Sequence, residues 1–260
     1  HTQRRRQRQM CIRDRPCLRL GQVNYGIILY YNMEVVNILP TPVAIIPCPF
    51  HSKVKDTILA EIEEQEVNKL SYNANSKQLK HVGHYSILHD DERHGRFRNW
   101  CEQQAEYYAK EVKGDYIQET VQVTDSWYNI SDKGGYQHPH QHANSYLSCI
   151  YYVNFDPKED HVNTHFMKDE NMHFPSMPSL HILRGKYTDY NQDNQVVVNE
   201  GELIIFPSQI IHGYGNNKGD NRITLSMNMM PTIVTNGDYG WRCINLNKTE
   251  RKKAFDFKGD

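Results

Sequence analysis

The chain has little that would tie it to a membrane, a nucleic acid or a disulfide scaffold. No uninterrupted apolar run approaches the ~18–20 residues needed to cross a bilayer; Ile27–Tyr31 is far too short. The formal net charge is only −1, so the sequence offers no bulk attraction to nucleic acid or to an anionic membrane. Six cysteines (Cys11, Cys17, Cys48, Cys101, Cys149 and Cys243) contain no C-x-x-C pair. Their spacing fits neither a disulfide framework nor a zinc module, so reduced thiols in a cytoplasmic setting are expected. No internal repeat is visible. Trp and Phe are sparse, at 3 and 8, against 17 Tyr. That balance favours β-structure and polar-lined pockets over a purely apolar interior.

The hydrophobic fraction of 38% is low but sufficient for one core in a chain of 260 residues. The N-terminal stretch Thr2–Arg15, TQRRRQRQMCIRDR, is basic enough to read as a nucleic-acid arm or a targeting peptide. Its MCIRDR segment, however, resembles a translated sequencing adapter, and a sensible globular sequence begins at Met33. Residues 1–32 are therefore expected to be a non-native or disordered extension. Residues 33–260 are expected to form one domain, with a helical flank over 33–114 and a β core over 115–232.

Within that domain, Val35–Ile46 carries Pro40 and Pro42 and reads as an edge strand. Val54–Leu70 spaces Val54, Ile58, Ile62 and Val67 as an amphipathic helix. Ser71–Gly95 is polar and reads as a long loop. Arg98–Val112 reads as a second helix, stopped by Gly114. After it, short β-rich runs alternate with turn residues at Tyr116–Tyr128, Ser145–Asn154, Gln195–Val198, Glu202–Phe206 and Arg222–Met229. Helices first and strands afterwards predict an α+β, mainly β fold, with helices outside a barrel or sandwich. Asp156–Asn194 is expected to be a long loop, of the kind that forms lids or holds substrate.

The chemistry concentrates in two places. His140 and His142 stand two apart, which on a strand puts them on one face. His212 lies far downstream after an apolar run, with Arg222 opening the next strand. Two ligands on one strand and a distant third can build an iron site with open positions, and an arginine near the third suits a carboxylate. Along that next strand Arg222, Thr224, Ser226 and Asn228 share one face, and Ile223, Leu225 and Met227 the other.

Several blocks together resemble a known family. Trp127–Asn129, Gly134-Gly135, HPHQHANSYLSCIYYVNFDP, GELIIFPSQIIH and NRITLSMN look like an uncharacterised 2-oxoglutarate/Fe(II)-dependent oxygenase family of bacteria and phages. The CIYYVN run is similar to the prolyl hydroxylase branch of its superfamily. The resemblance implies a double-stranded β-helix (jelly roll) with N-terminal flanking helices. It implies Fe(II) and 2-oxoglutarate as cofactors, dioxygen as cosubstrate, and an oxidised substrate that the sequence does not name. His140, His142 and His212 would hold the metal. Arg222, with Thr224 beside it, would bind the distal carboxylate of 2-oxoglutarate, with Tyr152 and Asn129 as further contacts. The wider superfamily usually has a carboxylate where His142 stands. Either three histidines ligate the iron or another group completes the site, and His138 could replace one of the pair; Asp156 and Asp160 lack the short spacing.

Other readings compete. A three-histidine iron dioxygenase of the cupin kind would not use 2-oxoglutarate, and a non-catalytic jelly-roll module, such as a phage structural part, would bind no iron. His161 and His165 have the spacing of a helical zinc pair but lie in a β or loop region. His84, His89 and His94 read as solvated surface. Ser208 reads as a turn residue, since no Gly-x-Ser-x-Gly elbow surrounds it.

Overall fold

The computed structural model describes residues 41–66, 71–72, 78–82, 86–90, 92–114, 120–167, 194–236 and 238–244. The reading of residues 1–32 and of a start at Met33 lies outside these, as does most of Asp156–Asn194. Strand β1 (Ala44–Pro47) is followed by helix α1 (His51–Glu66), strands β2 (Ser71–Tyr72) and β3 (Leu79–Val82), and helices α2 (Ile87–Asp90) and α3 (Gly95–Tyr107). Helix α3 runs on through a π-helical turn at Tyr108–Val112 and stops at Gly114. The positive φ of 73° there is one that glycine adopts without strain.

The β core then comprises β4 (Val121–Ser131), β5 (Gln137–His140), β6 (Leu147–Asn154), β7 (His165–Met167), β8 (Asn194–Gln195), β9 (Glu202–Pro207), β10 (Ile211–Tyr214) and β11 (Arg222–Pro231). A hairpin of β12 (Ile233–Asn236) and β13 (Tyr239–Arg242) follows. One sheet has the order β1-β9-β6-β11-β4-β3-β2, and a second has β5-β10-β7-β8. The architecture is the double-stranded β-helix, with α1 and α3 packed on the outside of the larger sheet.

Alternation along the strands explains why the two faces differ. On β6, Leu147, Cys149, Tyr151 and Val153 join Ile58, Phe97, Cys101 and Ala105 of the helices in one core. Ile150 and Tyr152 point the other way, into a second core with Ile204, Phe206 and Phe166 between the sheets. A strand buried on both faces needs apolar residues at consecutive positions, and β6 and β9 have them. Central β11 differs: Ile223, Leu225, Met227 and Met229 enter the helix-side core, while Arg222, Thr224, Ser226 and Asn228 take the inner face, all buried. A polar stripe inside an apolar frame is the floor of a site.

Of the expected edge strand Val35–Ile46, residues 44–46 lie in β1 at the sheet edge and residues 35–40 lie outside the described residues; both main helices are present over the parts described. Ser71–Gly95 is not one loop; it contains β2, β3, α2 and a 3-10 turn at Glu92–His94. Leu79, Ile87 and Leu88 are buried anchors too widely spaced to show a period. His94 is not solvated surface: it is buried and its Nε2 lies 2.6 Å from Glu61 Oε2, which also accepts from the Tyr128 hydroxyl. His84 lies outside the described residues. Strand β7 stands inside the expected Asp156–Asn194 loop. Among the described residues no helix is long and apolar enough to cross a membrane.

Candidate metal and cosubstrate site

Strand β10 pairs with β5 on one side and β7 on the other, and this brings His212 opposite His140. His142 lies just past the end of β5. Its backbone N–H donates to Ser208 O at 3.0 Å, which ties it to the turn before β10. One nitrogen from each of His140, His142 and His212 lies within 4.8 Å of the others. Ring centroids are 4.4 Å apart for His140 and His212, and 5.1 Å for His142 with each of the other two. No carboxylate joins this cluster among the described residues.

The hydrogen bonds of the three rings decide which nitrogens face inward. His140 Nδ1 lies 2.9 Å from His138 O, and His212 Nδ1 lies 2.9 Å from Ile210 O. A carbonyl oxygen only accepts, so each Nδ1 carries the proton and each Nε2 keeps its lone pair. His142 Nδ1 donates to Asn228 Oδ1 at 2.5 Å. The rings are thus arranged as metal ligands usually are, with the outer N–H held by the protein. Burial is the main force holding His212 neutral, pushing its pKa down to about 3, with the charge of His140 adding to it. Burial also lowers His142, against which its bond to Asn228 works. Neutral imidazoles with free Nε2 lone pairs suit Fe(II) as a donor set.

His138 does not take part. Tyr214 pairs with Gln137 and His212 with His140, so four residues of β5 face the span that three cover on β10. This bulge breaks the two-residue alternation: Gln137 and His140 line the cavity, whereas His138 is exposed and stacks edge-on against Tyr136. Gly213 lies between the ligand-bearing strands because a Cβ there would meet Gln137 O at 2.7 Å. His161 is not a zinc ligand; its Nδ1 accepts from Asp156 N and its Nε2 donates to Asp220 O. Asp156 caps the 3-10 turn Pro157–Glu159, away from the histidines. Ser208 is buried, its hydroxyl 2.9 Å from that of Ser148, and lies in the turn.

A cavity with about 430 Å³ of atom-free space, including its mouth, runs from the histidines to Arg222. Trp127, Asn129, Thr164, Tyr214, Thr224 and Ser226 line it. Arg222 is 1% exposed. Its Nε donates to Val162 O at 3.0 Å, and Tyr214, Phe155 and Tyr152 surround the guanidinium at 4.3, 5.6 and 5.7 Å. Its Nη1 is buried with no partner among the described residues. A buried cation with an orphaned N–H is costly until an anion arrives. Asn129 Nδ2 donates to Ser226 Oγ at 2.8 Å, and its Oδ1 also has no partner among the described residues. Tyr152 stands one layer back, its hydroxyl 2.7 Å from that of Thr164.

Residues 125–228 match the family described as "Putative 2OG-Fe(II) oxygenase". Over this segment the chain is similar to that family. The match supports an oxidoreductase with the cofactors that the family's description names, Fe(II) and 2-oxoglutarate. All seven residues singled out in the sequence fall within the matched segment. Among solved structures, the non-heme alpha-ketoglutarate-dependent carbocyclase SnoK from nogalamycin biosynthesis is similar, with TM-score 0.55 and 13% identity over 74% of this chain and 80% of that one. The epimerase SnoN, in complex with Fe3+, alpha-ketoglutarate and nogalamycin RO, gives 0.54 and 14% over 74% and 80%. HygX from Streptomyces hygroscopicus, with nickel and 2-oxoglutarate bound, gives 0.50 and 12% over 74% and 84%. At such identities the likeness is one of fold. No curated protein sequence matches the chain.

Sequence reasoning missed Asp125, Gln137, Thr164 and Tyr214 near this site. Gln137 and Thr164 carry no motif of their own. Tyr214 follows His212 by two, so alternation alone could have placed it on the same face.

Proposed function

We propose that the chain is a hydroxylase that uses Fe(II) and 2-oxoglutarate, with His140, His142 and His212 as the metal ligands. One observation carries the reading: three inward-facing imidazole nitrogens and a buried, half-satisfied arginine share one cavity. When bound, iron and 2-oxoglutarate supply the oxidation, coupling decarboxylation of the keto acid to succinate with dioxygen-dependent oxidation of a substrate. The protein's own residues bind and orient. Arg222 offers Nη1 to the distal carboxylate of the cosubstrate, a charge-assisted bond made by a buried guanidinium. Thr224 adds a hydroxyl from the same strand face, and Asn129 a polar edge fixed by Ser226. Tyr152 acts at one remove, holding the Thr164 hydroxyl at the cavity wall. The apolar ring of Phe206, 4.7 Å from that of His212, keeps water from the ligand side.

SnoK and SnoN are a carbocyclase and an epimerase by name, so this fold supports several oxidative outcomes. The substrate here is a protein side chain, a nucleotide or a metabolite placed by parts of the chain outside the motifs. The buried free thiols Cys48, Cys101 and Cys149 fit a cytoplasmic protein.

Anaerobic titration with Fe(II) and then 2-oxoglutarate tests the assignment. The expected result is the weak visible charge-transfer band of the chelate, followed by succinate formation on admitting air. Failure to bind iron would leave only a binding module. The lack of a carboxylate in the cluster favours a second reading, a three-histidine dioxygenase that needs no keto acid. Iron binding with full turnover in an Arg222→Ala variant would select it.

A further inference from the structure

Two of the three histidines are oriented by the backbone of their own strands. His140 and His212 each donate Nδ1–H to the carbonyl two residues earlier. His142 has left the strand, and its ring is oriented by a side chain instead, the amide of Asn228. An amide is ambiguous, because turned over it would present NH2 to the imidazole. His142 Nδ1 would then have to accept, its proton would move to Nε2, and no lone pair would face the other two rings. Something must hold the amide one way round.

Asp125 lies across from Asn228 in the β4–β11 register. Its Oδ2 accepts from Asn228 Nδ2 at 3.3 Å and from the Thr124 hydroxyl at 3.1 Å. A carboxylate only accepts, so it selects the amide rotamer with NH2 toward Asp125 and Oδ1 toward His142. Its place on the inner face is itself built in. Val121 and Val123 point to the helix-side core, while Trp127 and Asn129 line the cavity. Simple alternation would put Asp125 with Val123. The bulge between Asn228 and Met229, where Asp125 and Val123 face successive residues of β11, switches the parity of β4 at Thr124.

Resting on the iron reading above, we infer that Asp125 and Asn228 form a positioning relay that fixes the His142 tautomer and so prepares its Nε2 for the metal. The relay also returns a negative charge, one hydrogen-bonded residue removed, to a ligand set that has none. Neither residue belongs to the cluster of three converging histidines. The relay does at second hand what an outer carboxylate does for a ligating histidine elsewhere.

The test uses the full chain and Fe(II) alone, with two readouts. Long-range nitrogen NMR of the metal-free protein near neutral pH reports which nitrogen of His142 carries the proton. Fluorescence quenching of Trp127, whose ring lies 5.8 Å from that of His142, reports Fe(II) binding under anaerobic conditions. The wild-type chain should show His142 protonated on Nδ1. In Asp125→Asn, which keeps the shape but lets the Asn228 amide turn, the tautomers should mix. Fe(II) affinity should then fall on the order of 10- to 100-fold, as for other groups that support metal ligands. Adding Asn228→Asp to that variant places an acceptor directly against Nδ1. The double variant should regain the tautomer and most of the affinity, which a merely damaged fold would not. Two results overturn the relay alone: wild-type His142 protonated on Nε2, or an Asp125→Asn variant unchanged in tautomer and affinity while wild type binds iron. A wild-type chain that binds no Fe(II) overturns the metal reading and the relay's role with it.

Discussion

Replacing Arg222 by glutamine separates binding from folding. The guanidinium is 1% exposed, and without an anion its Nη1 has no partner among the described residues. In the ligand-free chain this residue therefore contributes little net stability, because a buried unpaired charge costs several kcal/mol that its contacts with Tyr214 and Val162 only partly offset. Arg222→Gln should leave the melting temperature of the ligand-free protein within a few degrees of wild type, or raise it. Cosubstrate binding should behave oppositely. Breaking a buried ion pair costs about 3 kcal/mol or more, which weakens the 2-oxoglutarate dissociation constant on the order of 100-fold. In wild type, ligand at about 100 times its dissociation constant stabilises by about 2.7 kcal/mol; in the variant, at the same concentration, that gain should nearly vanish. Calorimetric titration with Mn(II) in place of iron measures the first, and thermal unfolding with and without 2-oxoglutarate the second. A variant that keeps 2-oxoglutarate affinity within threefold, on the order of 0.6 kcal/mol, would refute the role given to Arg222.

Further outcomes follow from the same geometry. His212 is held neutral with a pKa of about 3, against ~6.5 in the unfolded chain. The unfolded state binds the extra proton between these values, so the metal-free protein should lose stability as pH falls from about 6.5 to 3. The loss from this residue is about 4 kcal/mol, and pH-dependent urea unfolding should show less of it in His212→Gln. Gly213→Ala would drive a methyl against Gln137 O, so β5 and β10 should separate and Fe(II) affinity fall together with stability. Leu225→Ala opens the helix-side core and should cost about 2–5 kcal/mol in urea unfolding with little change in Fe(II) affinity. Tyr152→Phe loosens only the Thr164 hydroxyl, so KM for 2-oxoglutarate should rise several-fold, about 1 kcal/mol, with kcat nearly unchanged.

The parts of the fold legible in the sequence are those whose burial is periodic. Helix α1 shows Val54, Ile58 and Ile62 at helical spacing, and β11 shows a clean alternation of Ile223, Leu225 and Met227 against Arg222, Thr224 and Ser226. The segment from Ser71 to Gly95 hid two strands and a short helix, because single anchors such as Leu79 and Leu88 leave no period to read. At the site, residue types and order pointed to the three histidines and the arginine, and the structure brings those four to one cavity. Bulges defeated the finer reading. Alternation put His138 beside His140 and would have put Asp125 beside Val123, and in both places one extra residue reverses the side. Bulges leave little trace in composition, so parity arguments fail at them without warning.

The central strand β11 divides its labour by side: odd-numbered positions hold the helices, and Arg222, Thr224 and Ser226 line the cavity. Thr224 and Ser226 can therefore vary while the contacts that keep the chain folded stay untouched. A lineage could explore new cosubstrate acids or new reaction outcomes through those two codons without first acquiring a compensating change elsewhere. A library of small polar and apolar residues confined to them should yield soluble protein at most combinations, since both positions are buried.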